Sequence, residues 1–190
     1  MGARPDAVRH VALIGLRRAG KSVVGRLLAA ALGRSFVDVD VALAEATGLT
    51  PARWLRERGE APFRDVEAAT LAALLDAPTP AVIATGGGAP LREASRRALA
   101  ARATVVYLRV DPWILAARAA RDPDPAARPI LVSAAEGDRE PYVHFAERDA
   151  LYRTTCDAVV EASGTPEAAL AAALERLAIL GVDGPAREGA

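Results

Sequence analysis

Five short apolar runs punctuate this chain, and between them apolar residues recur at helical spacing. The runs His10–Ile14, Phe36–Asp40, Ala81–Thr85, Thr104–Leu108 and Ala158–Val160 read as strands. The spacing between them predicts helices over Lys21–Leu32, Val41–Thr47, Pro51–Arg58, Phe63–Leu75, Leu91–Ala101, Pro112–Ala120, Arg139–Arg153 and Pro166–Ile179. Strands that are apolar along their length have both faces covered, so the pattern predicts an α/β fold: a parallel sheet between helical layers. On such sheets ligands bind beyond the carboxyl ends of the strands. That edge collects the loop Gly15–Ser22, the pair Asp38 and Asp40, and the run Gly86-Gly87-Gly88.

Length and composition narrow the class. A chain of 190 residues, 52% hydrophobic and 25% charged, suits one globular domain spanning 1–190. Its expected core covers about residues 9–180, with frayed ends at 1–8 and 181–190. The proline- and charge-rich stretch 121–138 has no periodicity and reads as a lid loop. Net charge is zero, which removes any global argument for a nucleic-acid or membrane partner. The single cysteine, Cys156, excludes an intramolecular disulfide framework and reads as a small apolar side chain beside a strand. The N-terminus lacks the apolar core of a signal peptide, and a cytoplasmic location is the expectation.

Lysine occurs once, at position 21, among 24 basic residues. It lies in Gly15-Leu-Arg-Arg-Ala-Gly20-Lys21-Ser22, which fits the phosphate-binding P-loop pattern G-x-x-x-x-G-K-[ST] between a strand and a helix. Glycines let the backbone wrap close enough for its N–H groups to converge on phosphate oxygens. A compact ammonium then reaches the β- and γ-phosphates, and the hydroxyl of Ser22 reaches Mg²⁺. The broad guanidinium plane of arginine does not fit that slot. The dinucleotide fingerprint fails, because Gly15 is followed by Leu16, Arg17 and Arg18 with no glycine two positions on.

Asp38 and Asp40, two apart on a strand, would face the same side. One could hold Mg²⁺ through water while the other serves a hydroxyl substrate; the other reading is a solvated strand end with Asp40 capping a helix. The run Thr85-Gly86-Gly87-Gly88 is either a plain turn or a place where backbone approaches a ligand closely. Any one arginine in so arginine-rich a chain is most simply a solvated surface group. Arg64, with Glu67 three positions on, Arg128 in the lid and Arg148 ahead of Leu151-Tyr152 are the candidates for more.

Taken in order, these segments resemble the shikimate kinase family. The matching residues are the P-loop Gly15–Ser22; Phe36, Asp38 and Asp40; Gly59-Glu60, Phe63-Arg64 and Glu67; Thr85–Gly88; Arg128-Pro129 with Leu131; and Arg148 with Leu151-Tyr152. The resemblance implies a nucleoside-monophosphate-kinase-like fold with a five-stranded parallel sheet in order 2-3-1-4-5. It implies ATP-dependent phosphorylation of the shikimate 3-hydroxyl, in aromatic amino-acid (chorismate) biosynthesis, by a monomer. It implies that Gly15, Arg18, Ala19, Gly20, Lys21, Ser22 and Val23 bind ATP, joined by Arg121, Arg128 and, at the adenine side, Pro166. Ser22 and Asp38 would serve Mg²⁺. Asp40, Arg64, Gly86, Gly87, Gly88 and Arg148 would hold shikimate, the two arginines gripping its carboxylate. Lys21, Asp40 and Arg128 would be the catalytic set.

The chain departs from the family pattern at three positions. Arg18 stands where glycine is usual, Ala150 where proline commonly precedes Leu-Tyr, and Leu55 where an aromatic often lines the shikimate site, with Trp54 beside it as a substitute. Two alternatives stay open: another small-molecule kinase of this fold, of the gluconate type, and a non-catalytic shikimate-kinase-like regulatory module. Such modules usually follow a helix-turn-helix segment, and none is expected within the nine residues before the first strand.

Overall fold

The computed structural model describes residues 9–121 and 139–182. Five strands, β1 (His10–Ile14), β2 (Ser35–Asp38), β3 (Ala81–Ala84), β4 (Ala103–Arg109) and β5 (Ala158–Glu161), form one sheet. All pairings are parallel and the order is β2-β3-β1-β4-β5. This is the α/β nucleoside-monophosphate-kinase-like architecture expected. Central β1 is buried along its whole length, with Val11, Ala12, Leu13 and Ile14 inaccessible to water. Such a strand is covered on both faces, which is why its sequence shows no polar alternation. Truncating Leu13 to alanine at a site this closed costs about 2–5 kcal/mol.

The helices are α1 (Lys21–Leu32), α2 (Val39–Thr47), α3 (Pro51–Arg58), α4 (Glu60–Leu75), α5 (Glu93–Arg102), α6 (Pro112–Ala120), α7 (Glu140–Thr155) and α8 (Pro166–Ile179). Helix α1 packs on α8, α4 on α5, and α6 on α7. Local chemistry sets their ends. Thr50 and Thr165 cap α3 and α8 through their side chains, with proline next in the chain.

Several boundaries differ from the sequence expectation by one to three residues, and three of them bear on the site. Strand β2 stops at Asp38 rather than Asp40, because the Asp38 carboxylate accepts the Asp40 N–H at 3.1 Å and starts α2 at Val39. Helix α4 begins at Glu60, three residues before Phe63, because Gly59 (φ 85°) reverses the chain out of α3 there. The stretch expected as one helix from Leu91 is a 3₁₀ turn over Ala89–Leu91 followed by α5. The lid stretch, apart from Arg121, lies outside the described residues.

Candidate active site

The P-loop leaves β1 and runs into α1. Gly15 sits against β4, where a β-carbon would stand 2.6 Å from the Leu108 carbonyl oxygen. The turn closes with the Ala19 N–H donating to the Leu16 carbonyl at 3.2 Å. Gly20, left-handed at φ 90°, opens α1, so the first turn of that helix faces the cleft with its N–H groups and positive dipole end. Lys21 is 9% exposed, and its Nζ donates to the carbonyls of Gly15 and Leu16, each at 2.8 Å. One residue on, the Ser22 hydroxyl donates to Asp38 Oδ2 at 2.6 Å.

The two aspartates therefore converge, but not by strand alternation. Asp38 caps α2 from the end of β2, and Asp40 lies in the first turn of that helix. Both line the cleft. Burial raises the Asp40 carboxyl above its ordinary range, the Asp38 charge adds to this, and Lys21, Arg17 and Arg64 oppose it. A carboxylate whose proton affinity is raised is suited to accept a proton from a hydroxyl.

The opposite wall is built around a buried ion pair. Arg64, 5% exposed on α4, donates from Nη1 to Glu67 Oε2 at 2.8 Å, and its other nitrogens reach Glu60 at 3.3 and 3.4 Å. Glu67 is 1% exposed, and burial pushes its carboxyl up while Arg64 pulls it back. The glycine run after β3 leaves room for this pair. A β-carbon on Gly86 would meet Glu67 Oε1, and one on Gly88 would meet the Arg64 guanidinium, both closer than 3.0 Å. Close approach, rather than a turn alone, is what these glycines provide. From α7 come Arg148, also buried, and one turn later Tyr152, whose hydroxyl donates to the Gly87 carbonyl.

Between these walls lies a cleft of about 700 Å³. It gathers Arg18, Ala19, Gly20, Lys21, Ser22 and Val23 from the P-loop side, Asp38 and Asp40, and Arg64, Gly86, Gly87, Gly88 and Arg148 across from them. Arg121 and Pro166 also line it. Arg128 lies outside the described residues. No group of three or more His, Cys, Asp or Glu side chains forms a metal cage among the described residues. The oxygens of Ser22 and Asp38 suit Mg²⁺ instead, which favours one or two protein oxygens together with phosphates and water.

The shikimate kinase family profile matches residues 17–178. The chain belongs to the shikimate kinase family. It is 46% identical over 154 residues to a shikimate kinase of Chromohalobacter salexigens, covering 79% of this chain and 81% of that one. It is 38% identical over 165 residues to shikimate kinase 2 of Pectobacterium carotovorum, covering 87% and 94%. Its fold matches the shikimate kinase from Acinetobacter baumannii solved in complex with shikimate, with TM-score 0.81, 32% identity and coverage of 92% and 94%. Within the family this chain has its own details. Arg18 is left-handed, at φ 63°, a conformation that favours glycine, the residue the resemblance leads one to expect there. Leu55 lines the cleft with Pro51, Ala52 and Phe63. Trp54 does not replace the missing aromatic: its indole donates to Thr47 Oγ1 at 3.1 Å and it is not among the cleft residues. Cys156 is half-buried with its thiol pushed up, chiefly by burial, the reverse of an activated nucleophile.

Two cleft arginines were not anticipated from sequence. Arg17 pairs with buried Glu140 at 3.3 Å, joining the P-loop to the first turn of α7. Arg118, in the last turn of α6, reaches back to the P-loop. Arg17 could have been noticed from its place inside the motif, whereas Arg118 has no local signal.

Proposed function

We infer that this chain is a working shikimate kinase, transferring the γ-phosphoryl group of ATP to the 3-hydroxyl of shikimate. The carrying observation is the juxtaposition across one cleft of the Lys21/Ser22–Asp38 cluster and the buried Arg64–Glu67 pair. The first group suits a nucleotide triphosphate. The second suits a small anionic acceptor, because Glu67 fixes the guanidinium in place before a ligand arrives.

In this reading the P-loop backbone from Gly15 to Val23 and the Lys21 ammonium cradle the phosphates, with Arg18 and Arg121 alongside and Pro166 at the base side. Ser22 and Asp38 hold Mg²⁺, which when bound neutralises charge on the phosphoryl oxygens. Arg64 and Arg148 grip the acceptor carboxylate, and Gly86, Gly87 and Gly88 bring the backbone against the ring. Asp40 accepts the hydroxyl proton as the new O–P bond forms and the bond from the γ-phosphorus to the bridging oxygen breaks, giving ADP and shikimate 3-phosphate. Arg128 carries the family's lid role at the transferring group. The same reading makes the protein a cytoplasmic monomer; among the described residues no helix is long and apolar enough to cross a membrane.

Purified protein given ATP, Mg²⁺ and shikimate should release ADP and shikimate 3-phosphate in equal amounts, read by coupled assay and mass spectrometry. A parallel panel of gluconate and polyols tests the other small-molecule kinase reading. No shikimate 3-phosphate at millimolar shikimate, or faster turnover of gluconate, refutes the assignment. Tight acceptor binding without turnover would support the regulatory-module reading.

A further inference from the structure

Among the described residues, Arg18 is the one non-glycine residue with a left-handed backbone. A side chain at that φ crowds its own carbonyl, so the conformation persists where surrounding groups hold it. Arg118 supplies such a hold from outside the P-loop. Its Nη1 donates to the Arg18 carbonyl at 2.9 Å, and its Nη2 donates to the Ala162 carbonyl at 3.4 Å. Ala162 begins the loop that leads through Gly164 and Thr165 into α8, and all three line the cleft. One guanidinium thus spans the two segments that frame the nucleotide side. Leu115, one turn earlier on α6, is fully buried and anchors the helix that presents it.

We propose that Arg118 is a positioning residue of the nucleotide site, whose guanidinium holds Arg18 in its left-handed conformation and ties the P-loop to the loop before α8. The planar fork of arginine offers two donors at a fixed separation, which a single ammonium does not. The chemistry recognised is a nucleoside di- or triphosphate, and the proposal rests on the nucleotide reading of the P-loop given above.

The test is a double-mutant cycle with ADP and Mg²⁺ as the probe, measured by calorimetry on the unaltered protein, Arg118→Ala, Arg18→Gly and the double variant. Arg118→Ala should weaken ADP binding ~10-fold while the KM for shikimate changes less than ~2-fold, the size expected for losing a charge-assisted hydrogen bond at one site only. In the Arg18→Gly background the further loss caused by Arg118→Ala should fall below ~2-fold, because glycine adopts φ 63° without a hold. An equal loss in both backgrounds, unchanged ADP affinity in Arg118→Ala, or equal damage to ADP and shikimate use overturns the proposal. Should melting curves show Arg118→Ala unfolded, Arg118→Lys, whose single nitrogen lacks the two separate donor nitrogens with which the guanidinium reaches Arg18 and Ala162, takes its place. An intermediate ADP loss that Arg18→Gly suppresses then supports the proposal, and an unsuppressed one overturns it. Failure of the unaltered protein to bind ADP at all overturns the P-loop reading, and this proposal with it.

Discussion

Glu67 lies so close to Gly86 that a β-carbon on the glycine would stand nearer than 3.0 Å to the glutamate Oε1. Glu67 cannot simply swing aside, since it is buried and its other oxygen receives Arg64 Nη1 at 2.8 Å. Gly86→Ala should therefore act on shikimate through two intermediaries, displacing Glu67 and with it the guanidinium. The expected result is a rise in the KM for shikimate of roughly 10–100-fold, with ADP affinity changed less than about 3-fold. Steady-state kinetics with each substrate varied, alongside ADP calorimetry, would show it. Equal loss on both sides would place the glycine in general folding instead.

That relationship marks where sequence reading stopped. The P-loop was legible because its chemistry is local: the eight consecutive residues Gly15–Ser22 and a flanking strand and helix specify it. The glycine run was legible as a place of close approach, but not what approaches, since Glu67 and Arg64 are some twenty positions away and meet it only through the packing of α4 against α5 and the 3₁₀ turn that follows the glycines. Asp38 and Asp40 both line the cleft, but by a different geometry from the strand alternation expected. An aspartate at a strand end and an aspartate capping a helix look alike in sequence, and the choice depends on which carboxylate captures a backbone N–H. Arg118 was invisible for a different reason. In a chain this rich in arginine a lone helical guanidinium reads as a solvated surface group, and only the approach of α6 to the P-loop gives it partners.

Ser22 and Asp38 meet at 2.6 Å from two different elements, α1 and the end of β2, so the hydroxyl is held in place before any metal arrives. Removing that hydroxyl by Ser22→Ala should raise the Mg²⁺ concentration for half-maximal turnover by roughly 10–100-fold, in the range seen when a supporting metal contact is lost. Excess Mg²⁺ should restore part of the rate. A Mg²⁺ titration at saturating ATP and shikimate measures this, and an unchanged titration curve would remove Ser22 from the metal site.

His144, buried on α7, has its ring pKa pushed down from 6.5 to about 4, by burial first and then by the positive charges of Arg148, Arg17 and Arg64. The Glu140 carboxylate, 3.7 Å from Nδ1, is itself engaged by Arg17. The unfolded chain binds a proton at this site more readily than the folded one, so the contribution to stability is present above pH 6.5 and is lost as pH falls toward 4. The loss should be about 2 kcal/mol once partial solvent screening is allowed for. Urea unfolding of the unaltered protein and of His144→Gln at several pH values isolates it from the carboxylates that titrate in the same window. The difference between the two proteins should narrow or reverse in favour of the variant as pH falls through that window; a difference independent of pH would show that the ring does not resist protonation.

Lys21 is buried among groups that need a compact charge. Its Nζ bridges the Gly15 and Leu16 carbonyls at 2.8 Å each, and its field lowers the proton affinity of both Asp40 and Glu67. Lys21→Arg keeps the charge and so should keep its downward pull on the proton affinity of those carboxylates, and the fold within about 1 kcal/mol of its original stability. The guanidinium, however, is broader than the ammonium and spreads its charge over a plane, so it cannot enter between the phosphates from the mouth of α1. Turnover should fall by at least ~10³-fold, the scale on which single cationic groups act in phosphoryl transfer. Chemical denaturation and an ADP-release assay on the same preparation separate the two effects. A stable variant that still turns over at a rate near the original would show that a diffuse cation is enough at this position, and that the lone lysine of the chain is not there for its shape.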